Sequence, residues 1–193
     1  MSNIAVVTGA SQGIGEAISV RLIEEGWRVF NLDRSPPGNA NNSTTWIETD
    51  LTDPVAIVAA FEMVAAEGPV LGLVNNAGLG IMTELQETTV EDFDLTVDVN
   101  MKAPMLCAQA ALPAMKEAGF GRIVNISSRA MLGKTHRTAY AGTKGAIASM
   151  TRVWALELAQ YGITVNGIAP GPIATELFTR ANPPDMPRTQ EII

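Results

Sequence analysis

The sequence has very little cysteine and histidine, the residues that most often cross-link small folds or bind metals. Its 193 residues include one cysteine, Cys107, and one histidine, His136. A single thiol cannot form an internal disulfide, so we expect a reducing compartment, the cytoplasm. One thiol and one imidazole also cannot supply the four ligands of a structural zinc site, and we predict no metal. We interpret His136 as an exposed loop residue, with a substrate contact as the alternative.

Positive charge and long apolar runs are also scarce. The chain has 13 Lys and Arg residues against 20 Asp and Glu, which gives a formal net charge of −7. Such a surface repels the phosphates of nucleic acids, so we predict no nucleic-acid partner. No run of about 18 apolar residues is present, and we predict no membrane-spanning segment. With 47% hydrophobic residues, the composition is that of a single globular domain over residues 1–193.

Short apolar, β-branched runs alternate with amphipathic stretches along the whole chain. This alternation predicts parallel strands covered on both faces and joined by right-handed helical crossovers. The predicted fold class is α/β, a doubly wound, Rossmann-like parallel sheet in a three-layer α/β/α arrangement. The predicted strands are Ile4–Thr8, Arg28–Leu32, Thr45–Glu48, Val70–Val74, Arg122–Ile126 and Thr164–Ala169. The predicted helices lie near Ile14–Leu22, after Asp53, after Thr89, and over Met101–Ala118 and Ala139–Gln160.

A glycine-rich turn follows the first predicted strand. Residues 8–15 read Thr-Gly-Ala-Ser-Gln-Gly-Ile-Gly, with glycines at positions 9, 13 and 15. Glycines let a backbone turn tightly and approach a pyrophosphate at a helix N-terminus. Because the turn lies between a strand and an amphipathic helix, it predicts a dinucleotide-binding loop. The alternative is an ordinary glycine-rich turn between a strand and a helix.

The residue that ends the second strand bears on the choice between NAD and NADP. Asp33 lies 20 residues after Gly13, where a carboxylate can accept hydrogen bonds from the adenosine ribose. The same carboxylate would repel a 2′-phosphate, whereas the next residue, Arg34, would favour that phosphate. We give Asp33 more weight and predict NAD, with NADP as the alternative.

A tyrosine and a lysine share one face of the helix that follows the fifth strand. Tyr140 and Lys144 are four residues apart, which brings the phenol and the ammonium together on the helix surface. A phenol has a pKa of about 10, so it acts as a base near neutral pH only where a nearby cation stabilises the phenolate. The preceding strand ends in two hydroxyls, Ser127 and Ser128. This setting favours proton transfer over the alternative, an ordinary pair on a helix surface.

At this point the sequence resembles the short-chain dehydrogenase/reductase superfamily over nearly its whole length. The matching segments are Thr8–Gly15, Asp50, Asn75–Gly78, Asn100, Ser127-Ser128, Tyr140 with Lys144, and Asn166–Ile173 with Thr175. The resemblance implies an enzyme that transfers a hydride between NAD(P)(H) and a carbonyl or secondary alcohol. It also implies a homodimer or homotetramer, with the two long helices between subunits; packing within the monomer is the alternative.

The resemblance further implies a role for each matching residue. Tyr140 is the expected general acid and base, and Lys144 is expected to assist it and hold the nicotinamide ribose. Ser128 is expected to bond the substrate oxygen, and Asn100 to hold a water that relays protons to Lys144. The expected pyrophosphate contacts are Gly9, Ser11, Gly13, Ile14 and Gly15. The expected adenine contacts are Asp50 and Leu51, with Asn76, Ala77 and Gly78 at the neighbouring ribose. The expected nicotinamide contacts are Pro170, Gly171, Ile173 and Thr175.

Two features depart from the family pattern. The segment from Ser128 to Tyr140 is one residue shorter than the family's usual spacing. Counting back from the tyrosine therefore favours Ser127, while strand register favours Ser128; we choose Ser128 and leave Ser127 open. The chain also ends at Ile193, inside a predicted substrate flap. We therefore expect a C-terminally incomplete domain that lacks the last strand of the sheet.

Three functions remain open from the sequence. The leading one is an alcohol dehydrogenase or ketone reductase that uses NAD(H). The second is an NADPH-dependent reductase of 3-oxoacyl thioesters, and the third is a non-catalytic dinucleotide-binding protein. The third is disfavoured because no structural requirement explains Asn100, Ser128, Tyr140 and Lys144 together. The sequence does not identify the substrate.

Overall fold

The sheet is the central layer of the computed structural model, which describes residues 3–38 and 43–173. Within these ranges six strands form one parallel sheet in the order β3-β2-β1-β4-β5-β6. The strands are β1 Ile4–Thr8, β2 Arg28–Asp33, β3 Thr45–Glu48, β4 Val70–Asn75, β5 Gly121–Ile126 and β6 Ile163–Ile168. The strand order reverses between β1 and β4. At such a switch point the carboxyl ends of parallel strands leave a crevice in which ligands bind.

Helices connect the strands on both faces of this sheet. In the described part of the chain the α-helices are α1 Gly13–Glu24, α2 Pro54–Ala65, α3 Val90–Val97, α4 Ala103–Glu117 and α5 Thr138–Leu158. A π-helical turn, Asp98–Lys102, joins α3 to α4. The predicted Rossmann-like α/β fold is therefore confirmed. Among the described residues, none of the helices combines the length and the hydropathy that crossing a membrane requires.

Alternate residues of the central strand point into two different cores. Ile4 and Val6 of β1 belong to the larger core, to which α2 and α4 contribute. Ala5 and Val7 belong to the smaller core, against which the inner face of α1 packs. Because side chains alternate along a strand, a run that is apolar at every position needs cover on both faces. The two cores are the physical basis of the three-layer arrangement.

Helix caps confirm two of the predicted helix starts. Asp53 accepts a hydrogen bond from the Val55 amide at 2.8 Å, and Pro54 occupies the first position of α2. Thr89 accepts one from the Asp92 amide at 3.1 Å at the start of α3. Side-chain oxygens at these positions satisfy amides that have no partner inside the helix, and proline has no amide to satisfy. The strands also lie where the apolar runs predict them, with some ends moved by one residue.

The helical segment before β5 differs from its prediction. The sequence predicts a separate helix from Met101, whereas the structure continues from α3 through the π turn into α4. Pro104 gives a physical reason, because it has no amide hydrogen to donate to the Asn100 carbonyl. The Ala103 amide instead bonds to the Asp98 carbonyl, five residues back. This wider turn contains Asn100, whose side chain is buried.

Candidate active site

Three glycines shape the loop between β1 and α1. Gly9 and Gly13 have φ angles of +67° and +62°, which glycine adopts readily and other residues rarely do. At Gly15 the constraint is space, because a Cβ atom there would overlap the Gly9 carbonyl oxygen and the Asn76 side-chain amide. A Cβ at Gly9 would lie 2.9 Å from the Cα of Ala77. The loop therefore lies directly against the end of β4, at the switch point of the sheet.

A buried asparagine of β2 holds the outer part of this loop. Asn31 accepts a hydrogen bond from the Ala10 amide and donates one to the Ser11 hydroxyl, both at 2.9 Å. The Ser11 hydroxyl donates in turn to the Ser35 carbonyl at 2.5 Å. Ser11 is thus bonded within the protein, and its contact with a pyrophosphate stays a prediction. Asn31 was not among the residues predicted from the sequence, although an asparagine inside the buried run Val-Phe-Asn-Leu was a visible signal.

The Asp33 carboxylate lies beside the same loop, at the carboxyl end of β2. One of its oxygens accepts from the Ser11 amide and the other from the Ser35 amide, both at 3.2 Å. These bonds fix the carboxylate and leave each oxygen a further lone pair for an outside donor. Asp33 is half-buried, so such a donor can approach it from solvent.

Side chains fasten the end of β4 to the glycine loop. The Asn76 side-chain amide donates to the Thr8 and Gly9 carbonyls, both at 2.9 Å. The Thr8 hydroxyl accepts from the backbone amides of Asn76 and Ala77, both at 3.0 Å. The residues predicted at the ribose, Asn76 and Ala77, therefore adjoin the loop predicted at the pyrophosphate. The bracing role of Thr8 was not foreseen from the sequence.

After β3, Asp50 and Leu51 have different surroundings. Asp50 is exposed, and its carboxylate accepts hydrogen bonds from the Thr52 amide at 2.9 Å and the Thr52 hydroxyl at 2.8 Å. These bonds, with a smaller contribution from the charge of Arg34, hold the pKa of Asp50 below its usual value. Leu51 packs into the larger core. Their contacts with an adenine stay predictions.

Lys144 is a buried cation at the carboxyl end of β5. Its Nζ donates to the Ile126 carbonyl oxygen at 2.7 Å, and its own carbonyl accepts from the Ser127 hydroxyl at 2.7 Å. Two consecutive residues at this strand end therefore hold both the ammonium and the backbone of the lysine. Burial lowers the pKa of Lys144 to about 8, because a poorly solvated site disfavours the charged form.

The ring of Tyr140 lies one helical turn before Lys144 and faces the same loop after β4. Lys144 Nζ is 5.8 Å from the centroid of the ring. A Cβ at Gly80 would lie 3.4 Å from the ring, and a Cβ at Gly78 would lie 3.2 Å from Lys144 Nζ. The phenol and the ammonium are thus brought to one side of α5, as their four-residue spacing predicts.

Asn100 reaches this place from the π turn. Its Oδ1 accepts from the Leu79 amide at 2.8 Å, and its Nδ2 donates to the Leu79 carbonyl at 2.9 Å. The same Nδ2 donates to the Thr143 hydroxyl at 3.0 Å. A Cβ at Gly78 would lie 3.5 Å from Asn100 Oδ1. Asn100 therefore joins the loop after β4 to the helix that contains Tyr140.

The two serines at the end of β5 have different environments. Ser127 is buried, and its hydroxyl donates a hydrogen bond to the Lys144 carbonyl. Ser128 is half-buried, and its oxygen accepts from the Ala130 amide at 3.1 Å. That bond leaves the hydroxyl hydrogen of Ser128 to be donated to an outside acceptor. The difference favours Ser128 as the serine that faces a substrate.

The segment after β6 runs beside the loop that follows β5. The Pro170 carbonyl accepts from the Arg129 amide at 3.0 Å, and a Cβ at Gly171 would lie 3.4 Å from the Arg129 side chain. Ile173 is exposed. Pro170 and Gly171, which are expected to contact the nicotinamide, therefore lie next to Arg129, the residue that follows Ser128. Thr175, the fourth expected contact, lies outside the described residues.

These features fit a dinucleotide that lies across the switch point. The first turn of α1, which contains Gly13 and Ile14, has amides without helical acceptors, and such amides bind phosphate. Because Gly78 has no side chain, the loop after β4 can lie close to the Lys144 ammonium and the Asn100 amide oxygen. Asp33 lies on one side of the strand reversal and Lys144 on the other. The site therefore has an anion-binding turn at the start of α1, between the Asp33 carboxylate and the buried Lys144 ammonium.

Comparison with known sequences agrees with this geometry. The sequence profile of the short chain dehydrogenase family matches residues 3–185. An NADPH-dependent aldehyde reductase-like protein of Arabidopsis thaliana is 35% identical in an alignment 207 residues long. The alignment covers 95% of this chain and 77% of the relative. A D-beta-hydroxybutyrate dehydrogenase of Rhizobium meliloti is 33% identical in an alignment 205 residues long. The alignment covers 100% of this chain and 79% of the relative.

Solved structures agree as well. An aldohexose dehydrogenase of Thermoplasma acidophilum, in ligand-free form, has a TM-score of 0.90 and 31% identity over 98% of this chain and 75% of its own. A Beutenbergia cavernae protein described as an NAD(P)-dependent gluconate 5-dehydrogenase, with bound NADP, has a TM-score of 0.90 and 33% identity over 98% and 80%. The chain is thus an NAD(P)-dependent oxidoreductase that transfers hydride, and it belongs to the short-chain dehydrogenase/reductase family.

Proposed function

We propose that the chain interconverts a carbonyl compound and a secondary alcohol, with Tyr140 as the group that transfers the proton. The observation that supports this most is the buried Lys144 ammonium, 5.8 Å from the Tyr140 ring. An ordinary pair on a helix surface would leave the lysine in water, where its charge is screened. In the interior, the same charge stabilises a phenolate much more strongly.

The proton transfer needs two hydroxyls on one substrate oxygen. In reduction, the Tyr140 hydroxyl donates its proton to the carbonyl oxygen as negative charge develops there. The Ser128 hydroxyl donates a second hydrogen bond to that oxygen and fixes its position. The Ala130 amide, bonded to the Ser128 oxygen, orients this hydroxyl. In oxidation, the phenolate of Tyr140 accepts the proton of the alcohol.

Lys144 and Asn100 restore the protonation state of Tyr140 after each turnover. The Ile126 carbonyl holds the ammonium in place, and Lys144 Nζ and Asn100 Oδ1 both lie close to Gly78. We assign to the space beside these two groups the water through which Lys144 exchanges protons with solvent. Asn100 is a positioning residue in this scheme, because its three hydrogen bonds fix the loop and the helix that enclose the space.

The nicotinamide cofactor supplies the hydride, and the chain supplies its position. We assign the pyrophosphate to Gly9, Ser11, Gly13, Ile14 and Gly15. We assign the adenosine to Asp33, Asp50 and Leu51, and the neighbouring ribose to Asn76, Ala77 and Gly78. We assign the nicotinamide and its ribose to Tyr140, Lys144, Pro170, Gly171, Ile173 and Thr175.

We propose NAD as the preferred cofactor. Two backbone amides fix the Asp33 carboxylate, so it cannot turn away from a 2′-phosphate without losing both bonds. The charge of Arg34 acts on Asp50, whose pKa it helps to lower, and is partly balanced by that carboxylate. The names of the Arabidopsis relative and the Beutenbergia structure mention NADPH and NADP. The preference for NAD therefore depends on Asp33 in this chain.

The mechanism is tested by Tyr140→Phe, which removes the hydroxyl and keeps the ring. We expect kcat to fall by about 10²- to 10⁴-fold over a panel of secondary alcohols and ketones, with NADH affinity retained. Nicotinamide absorbance gives the rate, and fluorescence titration of NADH gives the affinity. The chain's other tyrosine supplies the control, because Tyr161→Phe changes a residue in the turn after α5. Undiminished turnover in Tyr140→Phe would contradict the mechanism. Cofactor binding without turnover by the unaltered chain would favour the non-catalytic alternative.

We also propose that the protein is a homo-oligomer, a dimer or tetramer, of the cytoplasm. The outer faces of α4 and α5 present apolar side chains to solvent, among them Met105, Val153 and Leu156, which is 82% exposed. Apolar surface of this kind is usually covered in an assembly. The cytoplasmic location rests on the single cysteine, Cys107, and on its burial. Light scattering that finds only monomers at micromolar concentration would contradict the oligomer.

A further inference from the structure

A short bridge joins the two loops that flank the Tyr140 ring. Thr83, in the loop after β4, forms a parallel β-bridge with Arg137, the residue before α5. Gly80 precedes Thr83 by three residues and lies against the Tyr140 ring, because an added Cβ would be 3.4 Å from it. Tyr140 follows Arg137 by three residues and lies in the first turn of α5. The bridge and the close approach at Gly80 therefore hold the tyrosine from two sides.

The start of α5 has a bridge where many helices have a side-chain cap. Its N-cap residue is Arg137, whose guanidinium has no acceptor for the amides of the first turn. Helix ends fray, and the first turn of this helix contains Tyr140. The backbone of Arg137 pairs with Thr83, and its carbonyl accepts the first helical bond, from the Ala141 amide at 2.7 Å. A displacement of Arg137 would therefore move the phenol.

His136 leads the chain into this bridge in a conformation that most residues avoid. Its φ angle is +59°, and it is the one residue besides glycine with a positive φ in the described part of the chain. A Cβ atom crowds the backbone in this left-handed region, so the surrounding structure must hold the residue there. His136 is half-buried, and its Nδ1 lies 3.8 Å from a carboxylate oxygen of Glu84. Because Glu84 follows Thr83 and His136 precedes Arg137, this pair lies beside the bridge.

Hydrogen bonds of its own fix the other side of the bridge. The Thr88 hydroxyl donates to the Glu84 carbonyl at 2.9 Å, so in the 2.9 Å contact between the two threonine hydroxyls Thr83 is the donor. The Glu84 carbonyl also accepts from the backbone amides of Glu87 and Thr88, both at 3.0 Å. Since Thr83 is held in this way, a change of backbone at His136 would be transmitted to Arg137 and the first turn of α5.

We propose that His136 is a positioning residue for the proton transfer, because its left-handed backbone places Arg137 against Thr83 and so sets the position of Tyr140. The proposal rests on the function proposed above, since it concerns the residue that transfers the proton there. A misplacement of about 1 Å in an active site can cost about 100-fold in rate, so small shifts of the phenol matter. The imidazole contributes less, through Glu84, and the backbone conformation is the property that a substitution must preserve.

The test changes the backbone preference at position 136. Valine strongly disfavours a positive φ because its Cβ is branched, whereas glycine and asparagine accept one. We expect His136→Val to lower kcat by about tenfold on the fastest secondary alcohol of the panel, with KM and NADH affinity nearly unchanged. His136→Gly and His136→Asn should retain kcat within about threefold, since both keep the left-handed turn.

Gly119 supplies the matched control. It has the same φ of +59° in the turn before β5, and an added Cβ there would meet nothing within 4 Å. Gly119→Val should lower stability in urea at least as much as His136→Val and leave kcat unchanged. Thr88→Val tests the bridge from its other side, by removing the hydroxyl that holds Thr83, and applies also where His136→Val fails to fold. It should lower kcat by about threefold, and Thr88→Ser should restore the rate.

The remaining outcomes separate the positioning role from the proposed function. An unchanged kcat in His136→Val or Thr88→Val, beside lost activity in Tyr140→Phe, would overturn the positioning role and leave the mechanism standing. Equal losses of kcat in His136→Val and His136→Gly would also overturn it, because the imidazole would then matter and not the backbone. Equal losses in His136→Val and Gly119→Val would overturn it as a general loosening of the fold. Undiminished turnover in Tyr140→Phe would overturn the proposed function, and the positioning role with it.

Discussion

The two ends of the crevice are built by different means. At the β1–α1 end the surface is backbone, exposed by glycines, and the polar side chains nearby are bonded within the protein. At the β5–α5 end the surface is made of side chains, and one of them is a buried cation. The first end would bind a phosphate whose charge does not change, for which fixed amides suffice. The second must stabilise a charge that develops during the reaction, and a cation held out of water does this best.

The largest effect is expected from Lys144→Met at the side-chain end. The substitution keeps an unbranched chain of similar length and removes the charge that would stabilise the Tyr140 phenolate. We expect kcat to fall by about 10³-fold or more, while NADH still binds at the glycine loop. Steady-state rates and NADH titration distinguish the two effects. Retention of most of the activity would show that the buried ammonium is not needed for the proton transfer.

The same variant is expected to be more stable than the unaltered chain near neutral pH. The pKa of Lys144 is about 8 in the folded chain, against 10.5 for an ordinary lysine, so the unfolded chain holds this proton more tightly. The unaltered chain therefore gains stability as pH rises from about 8 to 10.5. Lys144→Met escapes a penalty of up to about 3 kcal/mol below pH 8, and this advantage shrinks with rising pH. Urea unfolding at pH 7 and pH 9.5 measures it, and an advantage independent of pH would contradict burial of the charge as its cause.

At the backbone end the next largest effect is expected from Gly15→Ala. Its methyl group would overlap the Gly9 carbonyl and the Asn76 amide, so the glycine loop must move away from β4. We expect NADH affinity to fall by about tenfold or more and stability by about 1–3 kcal/mol. Gly142→Ala is the matched control, because a Cβ there would meet nothing within 4 Å and alanine favours helix. Equal effects of the two substitutions would show that close packing at Gly15 is unimportant.

At the same end, Asp33→Asn is expected to change the choice of cofactor. The amide keeps the shape of the carboxylate and can accept one of its two hydrogen bonds, and it removes the charge that would repel a 2′-phosphate. We expect the ratio of kcat/KM for NADH to that for NADPH to fall by about 10- to 100-fold. Asp53→Asn serves as the control, because asparagine caps a helix as well as aspartate does. A chain that already prefers NADPH would favour the reductase of 3-oxoacyl thioesters.

The smallest effect is expected from Ser127→Ala. The loss of one hydrogen bond to the Lys144 carbonyl should lower kcat by about fivefold, equivalent to about 1 kcal/mol, and Ser127→Thr should restore it. Ser128→Ala should cost much more, because its hydroxyl is the one assigned to the substrate oxygen. A larger loss in Ser127→Ala than in Ser128→Ala would reverse the assignment of the two serines.

The parts of the molecule that were predictable from sequence depend on neighbours along the chain. The strands, the cap at Asp53 and the four-residue spacing of Tyr140 and Lys144 are all local patterns, and the structure has each of them. The π turn was missed because apolar spacing over so short a segment does not distinguish a wider helical turn from a break between two helices. Its cause, Pro104, was visible, but its consequence for Asn100 requires the backbone path.

Contacts between distant segments were not predictable from the residues alone. Asn31 holds the glycine loop because β1 and β2 pair in a particular register, and no local pattern specifies that register. The choice between Ser127 and Ser128 depends on which hydroxyl points toward α5, a property of how that helix packs on β5.

The buried ammonium at the β5–α5 end is tested most directly by its own titration. Lysines labelled with ¹³C at the ε position can be followed by NMR in the cofactor-free protein, and the Lys144 resonance is identified by its absence from Lys144→Met. We predict a midpoint at about pH 8, set by burial of the charge. A midpoint near pH 10.5, the ordinary value for an exposed lysine, would contradict the view that this end of the crevice holds a poorly solvated cation for the reaction.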